Sequence, residues 1–380
     1  MKCQGHIIIS AIYGKALNKY AAEPYSGGIR VNTAELKSHF YKRFIGENGR
    51  MTLSEAGLPC SLLGYINTEH MPSVGCAMSM SVKIIARKIG SGTVIITSTE
   101  TDMCRAYPID NCDGRDRISV FLNRARDFGI NGTQILCDNS IPGCFNMNSA
   151  YTAAVAKALL ELSKRGVPRP ETSAALCAQR DELNEYLTVF ASRKGYCVYA
   201  QNGSARIMPL PMTGYKFLLI NPRQSEPPVT ARLINRTYML MKELYPHITS
   251  FADVSPEMLD IAAPRLRPKE VRLCAKHMAD ECRRVSAGAR ALVRCNIRAF
   301  AEIMRESCYS QKRICQYNDE NVFLADELLD AGGVLGVRMC ERGVMAIVDE
   351  NRCDEVVKSI RFAYENEFGA PPVFCIADGI

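Results

Sequence analysis

Histidine is scarce in this chain, and none of its five copies, His6, His39, His70, His247 and His277, pairs with a cysteine or another histidine at metal-ligand spacing. That excludes the usual frame of a structural zinc site, and no metal ligands are expected. Cysteine is plentiful at 17 residues, but the number is odd and no C-x-x-C pair occurs. A chain this long does not need a disulfide framework, so the thiols are expected to be free, in a reducing cytoplasm. Long apolar runs are lacking as well. Ile7-Ile8-Ile9 is far shorter than a signal core, and nothing approaches a membrane span. The net charge of +7 is spread out, and even the cluster from Pro264 to Lys269 is broken by prolines and a leucine. No stretch serves as a basic arm for nucleic acid, so the charge fits a solvated surface or an anionic small-molecule ligand.

The chain has 380 residues, 47% of them apolar, enough for two domains with a core in each. Asn32 or Thr33 caps an expected helix that carries Leu36, Phe40 and Phe44 at four-residue spacing. Val82–Ala86 and Thr93–Thr97 are β-rich and flank Gly90-Ser91-Gly92, which predicts a hairpin. A strand at Gln134–Cys137 precedes a small-residue helix from Ala153 to Lys164. Gly195–Tyr199 and Tyr215–Asn221 are further strands, with Pro209-Leu210-Pro211 as a turn between them. Pro222, Pro227 and Pro228 then mark a junction. Beyond it one long helix is expected from Glu281 to Arg305, then a strand at 344–348. A helix from Cys353 to Phe368 should end at Gly369, before a last strand, Pro372–Ile376. This alternation predicts two α+β layers.

Near the end, Gly336-Val337-Arg338-Met339 runs through Cys340-Glu341-Arg342-Gly343 into the apolar strand. This resembles the last signature of galactokinases, members of the GHMP small-molecule kinase family, with its central glycine run cut to one glycine. Pro256-Glu257, Met304-Arg305-Glu306-Ser307, Tyr364 and Asp378-Gly379 follow the family's order of landmarks, and the likeness extends from about Thr33 onward. The resemblance implies an α+β, two-domain GHMP kinase fold. Its N-terminal half would be similar to ribosomal protein S5 domain 2 and its C-terminal half ferredoxin-like, with ligands between. The expected division is an extension at 1–32, an N-terminal domain at 33–221 and a C-terminal domain at 222–380.

The residues in the family's functional slots differ. In the first, Pro59-Cys60-Ser61 begins a stretch that reaches Glu69-His70-Met71-Pro72. Ser61 stands where the resemblance places a catalytic arginine, a charge that would stabilise the transferring phosphoryl group. Glu69 and His70 match the pair used near the sugar, or are ordinary loop residues. In the phosphate-loop slot, Cys144 and Asn146 replace glycines, and Asn148 and Ser149 are read as nucleotide-side residues or simply as a helix cap. Counting back from Ser192-Arg193-Lys194-Gly195 puts Asn184 at the catalytic aspartate. An amide cannot accept the substrate proton, although a rotated helix would offer Asp181 or Glu185 instead.

The leading expectation is a galactokinase-like protein with impaired or absent phosphorylation, kept for binding a sugar or nucleotide and acting through a protein partner. The alternative is an active sugar kinase using ATP and Mg²⁺ with substituted residues. A third is an interaction protein with an empty cleft. Neither nucleic acid nor a membrane is expected as a partner.

Overall fold

A computed structural model of the chain describes residues 25–26, 32–45, 48–100, 104–222, 231–314, 319–340 and 342–380. Most of the expected N-terminal extension, with Pro227 and Pro228, lies outside the described residues. The first half runs β1 (Tyr25–Ser26), α1 (Thr33–Arg43), β2 (Met51–Leu63), β3 (Ser73–Lys88), β4 (Thr93–Ser98), β5 (Cys104–Pro108) and α2 (Arg117–Arg124). It continues through β6 (Thr133–Asn139), α3 (Asn148–Leu162), α4 (Pro170–Cys177), α5 (Leu183–Ala191), β7 (Tyr196–Gln201) and β8 (Ser204–Pro209). The second half holds β9 (Tyr215–Asn221), α6 (Ala231–Leu244), α7 (Pro256–Ala262), α8 (Lys269–Val293), α9 (Ile297–Ile314) and α10 (Asp319–Asp330). It ends with β10 (Val334–Cys340), β11 (Gly343–Asp349), α11 (Cys353–Phe368) and β12 (Val373–Ala377).

The first sheet has the order β5-β4-β6-β3-β7-β8, and β2 also pairs with β3. Strand alternation sorts its faces. Ile84, Ala86, Ile135 and Cys137 join the main core with the small residues of α3, while Ile85 and Leu136 meet Leu36 and Phe40 of α1. The cap of α1 is as expected: the Asn32 side chain accepts the Glu35 N–H at 2.9 Å, and the Glu35 carboxylate accepts the Asn32 N–H at 3.0 Å. The expected hairpin at Gly90–Gly92 does not form. β6 is inserted between β3 and β4, antiparallel to one and parallel to the other. Its residues are buried toward both layers, so it takes an interior place in the sheet. The glycine-rich link instead crosses the start of β6, where a Cβ on Gly132 would lie 1.7 Å from the Ser91 carbonyl oxygen. β8, which pairs with β7, was not foreseen; Pro209 ends it.

The second sheet has the order β1-β12-β9-β11-β10. Without β1, the run β9, helices, β10, β11, α11, β12 is the split βαβ arrangement of a ferredoxin-like layer. Here too the two faces part: Phe217, Leu219, Met345 and Ile347 enter the main core, while Leu218, Ile220, Ala346 and Val348 pack on α10 and α11. One core therefore runs through both halves, and a second lies under α10 and α11 within the second half. β9, Tyr215–Asn221, belongs to the second sheet. The tail adds a further tie, since Ser79 and Ile380 donate to the carbonyls of Asp378 and Ala77 at 2.7 and 2.8 Å.

The single helix expected from Glu281 to Arg305 is two helices. Cys295 has a left-handed φ of 52°, which ends α8, and the Asn296 side chain accepts the Ala299 N–H at 3.0 Å to start α9. The turn folds α9 back along α8. Helices α6, α7 and α8 enclose a third core that takes in Tyr65 and Met71 from the loop after β2.

Candidate active-site cleft

Between the two sheets lies a cleft of about 80 Å³. It is lined by Pro59 and Ser61 of β2, Tyr65 and Asn67 of the following loop, Asn146, Glu185, and Arg338, Met339, Cys340, Arg342 and Gly343 at the meeting of β10 and β11. A larger depression of about 620 Å³ beside Pro264, Arg267 and Arg272 is open to solvent and contains none of the expected site residues. The cleft is the more relevant of the two, because the family-like segments converge there.

Beneath it is a buried polar network that sequence reasoning missed. Glu281 of α8 and Arg338 of β10 are fully buried and pair at 2.7 Å. Glu281 also accepts the Gly64 N–H at 2.9 Å, while Arg338 donates to the Gly64 carbonyl and to Ser307. Gly64 has a φ of 69°, and a Cβ there would lie 2.5 Å from the Pro72 carbonyl oxygen, so glycine is required. Burial alone would raise the Glu281 carboxyl, but the Arg338 and Arg284 guanidiniums hold it far below the usual carboxylate range. Tyr65 joins the network through His277 at 2.9 Å and Gln311 at 3.1 Å. Gln311 in turn holds both the N–H and the carbonyl of Met339. Burial keeps His277 neutral, with its pKa lowered to about 3. The available signal was a carboxylate on the apolar stripe of α8, flanked by Met278, Cys282 and Val285.

The expected site residues fall into two groups. Ser61, Asn146 and Glu185 line the cleft. The Ser61 hydroxyl accepts the Ile66 N–H at 3.1 Å and so fixes the loop that follows. At the start of α3 the cap residue is Met147, without a side-chain bond, so Asn148 and Ser149 are not caps. Asn146 accepts the Asn148 N–H at 3.2 Å from outside the helix, and Ser149 turns inward to donate to Glu185. The Cys144 carbonyl accepts from Asn221 at 3.4 Å and from Arg342 at 3.5 Å, and burial pushes the Cys144 thiol up to about 12. Asn221 also donates to the Arg342 carbonyl at 2.6 Å, which ties the two sides of the cleft. The one glycine left of the central run answers to strand packing, because a Cβ on Gly343 would lie 2.0 Å from the Ile220 carbonyl oxygen.

Asn184, Glu69, His70 and Asp181 gather around the loop at 64–72. Asn184 is 1% exposed, and its Nδ2 donates to the carbonyls of Thr68 at 2.8 Å and Met71 at 3.3 Å. Its Oδ1 is buried with no partner. His70 stacks on Tyr238 with ring centroids 3.8 Å apart, and its Nε2 lies 3.8 Å from the Asp181 carboxylate. Burial, then the Asp181 charge, raises the Glu69 carboxyl, while burial lowers His70. Among the described residues no group of three His, Cys, Asp or Glu side chains is arranged to hold a metal ion.

No protein-family model matches the chain. A galactokinase of Thermosipho africanus (strain TCF52B) is 24% identical over 271 residues, which covers 66% of this chain and 74% of that protein. A galactokinase of Clostridium perfringens is 27% identical over 139 residues, 35% of this chain and 36% of that relative. The crystal structure of Lactococcus lactis galactokinase complexed with galactose has the same fold, with a TM-score of 0.77 at 18% identity over 91% of this chain and 97% of that one. The chain has the two-sheet α+β fold of these kinases and is distantly similar in sequence to galactokinases. The resemblance in the last signature thus extends to the whole architecture of this galactokinase-like chain. No described helix is long and apolar enough to cross a membrane.

Proposed function

We propose that this galactokinase-like chain binds a sugar at the Glu69–His70 loop and that its ATP-dependent phosphorylation is impaired or absent. The observation that carries the proposal is the use of Asn184. Its amide hydrogens are given to the Thr68 and Met71 carbonyls, so it serves as a brace for the sugar-side loop and has no capacity to take a proton from a substrate hydroxyl. Ser61 is likewise occupied with its own loop and brings no positive charge.

The residues present do not fit ATP with Mg²⁺. Ligand pockets for such molecules run to several hundred Å³, and this cleft is about 80 Å³. Asn221 and Arg342 both donate to the Cys144 carbonyl, so these groups are engaged with one another. No step through the nucleotide follows from this arrangement. A small-molecule sugar is the proposed ligand, and a protein partner would read out its binding.

The rival, an active sugar kinase, draws on Glu185, a carboxylate that lines the cleft and accepts from Ser149. A coupled assay of ADP release with ATP, Mg²⁺ and a hexose panel separates the two, run beside thermal unfolding with each ligand. The expected result is no sugar-dependent ADP release, with stabilisation by sugar of roughly 2.7 kcal/mol at a hundred times its dissociation constant. Sugar-dependent turnover would overturn the proposal. No response to any sugar would favour an interaction protein with an unused cleft.

A further inference from the structure

The open depression of about 620 Å³ at the start of α8 is built from the basic run that prolines interrupt in the sequence. Arg267, Lys269 and Arg272 all line it, all are exposed, and no side chain among them is in an ion pair or hydrogen bond with a described residue. No carboxylate is among the lining residues. Glu270, the one acid between Ala263 and Arg272, is not part of the wall, and its Oε2 is buried without a partner. Between the cations the surface is apolar, formed by Pro264, Pro268 and the nearly buried Leu266. Helix α8 runs 25 residues from Lys269, and its Pro268 cap gives no side-chain bond to the first-turn N–H groups. The partial positive charge of that helix end therefore adds to the charge of the side chains. Several hundred Å³ with apolar walls and a few charged groups is the size and character of a small-molecule site. It stands apart from the cleft, with which it shares no residue.

We propose that this depression binds the diphosphate group of a small molecule, independently of the sugar site. The guanidinium forks of Arg267 and Arg272 suit paired phosphate oxygens, and Lys269 adds a point charge. A phosphate monoester brings at most about two negative charges near neutral pH, fewer than the three cations offer. A second phosphate makes up the difference. The apolar surface of Leu266 and the two prolines suits the organic body of such a ligand, which inorganic pyrophosphate lacks.

Calorimetric titration of the full chain near neutral pH, without Mg²⁺, tests this with inorganic phosphate, inorganic pyrophosphate, ADP and adenosine. Pyrophosphate should bind about tenfold or more tightly than phosphate, and added salt should weaken it. ADP tighter than pyrophosphate identifies an organic diphosphate as the ligand, and equal affinity an inorganic one; either upholds the site. Adenosine alone should not bind. Arg267→Ala and Arg272→Ala should each weaken pyrophosphate about tenfold, and Arg272→Lys should recover part of the loss. Lys358→Ala, which removes an exposed charge from α11, should change nothing. Thermal unfolding confirms that the variants fold. No binding of either diphosphate, or equal affinity for phosphate and pyrophosphate, would overturn the proposal. ADP binding that Arg267→Ala and Arg272→Ala leave intact would also overturn it, and would put the nucleotide in the cleft against the sugar-only reading.

Discussion

Replacing Asn184 with aspartate restores the residue type that the family resemblance places there, and the surroundings predict that the protein will suffer for it. The change is isosteric, but it converts the Nδ2 donor into an oxygen that faces the carbonyls of Thr68 and Met71 at 2.8 and 3.3 Å. Thr68, Met71 and Asn184 are all at most 1% exposed, so water cannot take over. Two hydrogen bonds disappear at about 1 kcal/mol each, and an uncompensated carboxylate against two orphaned carbonyls adds a few kcal/mol more. A loss of about 3–5 kcal/mol is expected near pH 8. A protonated carboxyl regains one donor, so the folded protein raises the pKa of the new group. With a raised pKa the folded state binds the proton more tightly. The variant is then relatively secure below the unfolded carboxyl value of about 3.9 and loses ground as pH rises, by up to about 1.4 kcal/mol per unit. Urea unfolding at pH 5 and pH 8 measures this, with Asn184→Ala as a reference whose deficit does not change with pH. Equal midpoints for parent and Asn184→Asp at pH 8 would refute the bracing role.

Further outcomes follow from the same packing. Arg338→Ala removes the partner of a fully buried carboxylate and should cost about 3–5 kcal/mol in denaturant unfolding; a cost below 1 kcal/mol would mean that the Glu281 pair is not desolvated as described. His277, lowered to about 3 by burial, supports folding while it is neutral, and that support falls away as pH drops below about 6.5. His277→Gln should therefore flatten the stability profile between pH 6 and pH 4, and an unchanged slope would contradict the assignment. Gly343→Ala puts a Cβ against the Ile220 carbonyl at a φ of 131°, and thermal unfolding should register a loss of about 2–4 kcal/mol.

Where the chain's local pattern and its tertiary environment agree, the fold was readable beforehand. The α1 cap at Asn32 and the left-handed stop of α11 at Gly369 depend on neighbouring residues alone, and both are present. The hairpin at Gly90–Gly92 failed because two apolar strands and a glycine-rich link also suit strands that a third one separates, and the separating strand arrives forty residues later. The long helix failed for a local reason of a different kind. Nothing in the composition of Arg294-Cys295-Asn296 breaks helical periodicity, yet Cys295 takes a left-handed φ without glycine. Alternation shows that β9 and β11 are apolar on both faces, but not that one of those faces joins the core of the neighbouring half while the other packs on α10 and α11.

The site was legible only as positions, because the meaning of each residue depends on what it faces. Asn184 could be read as standing in the place of a catalytic base, but its two carbonyl partners come from a loop 113 to 116 residues away in sequence. Gly343 could be read as the remnant of a phosphate loop, but what demands a glycine is the Ile220 carbonyl across the sheet. In both cases a residue in a family-like slot is accounted for by packing. An aspartate that works as a base must keep an oxygen free for a proton, which leaves the loop beside it to be held by other groups. An asparagine there can hold the loop itself, at the cost of the base. The two uses compete for the same side chain, and the proposed loss of the base rests on the bonds that Asn184 gives to the Thr68 and Met71 carbonyls.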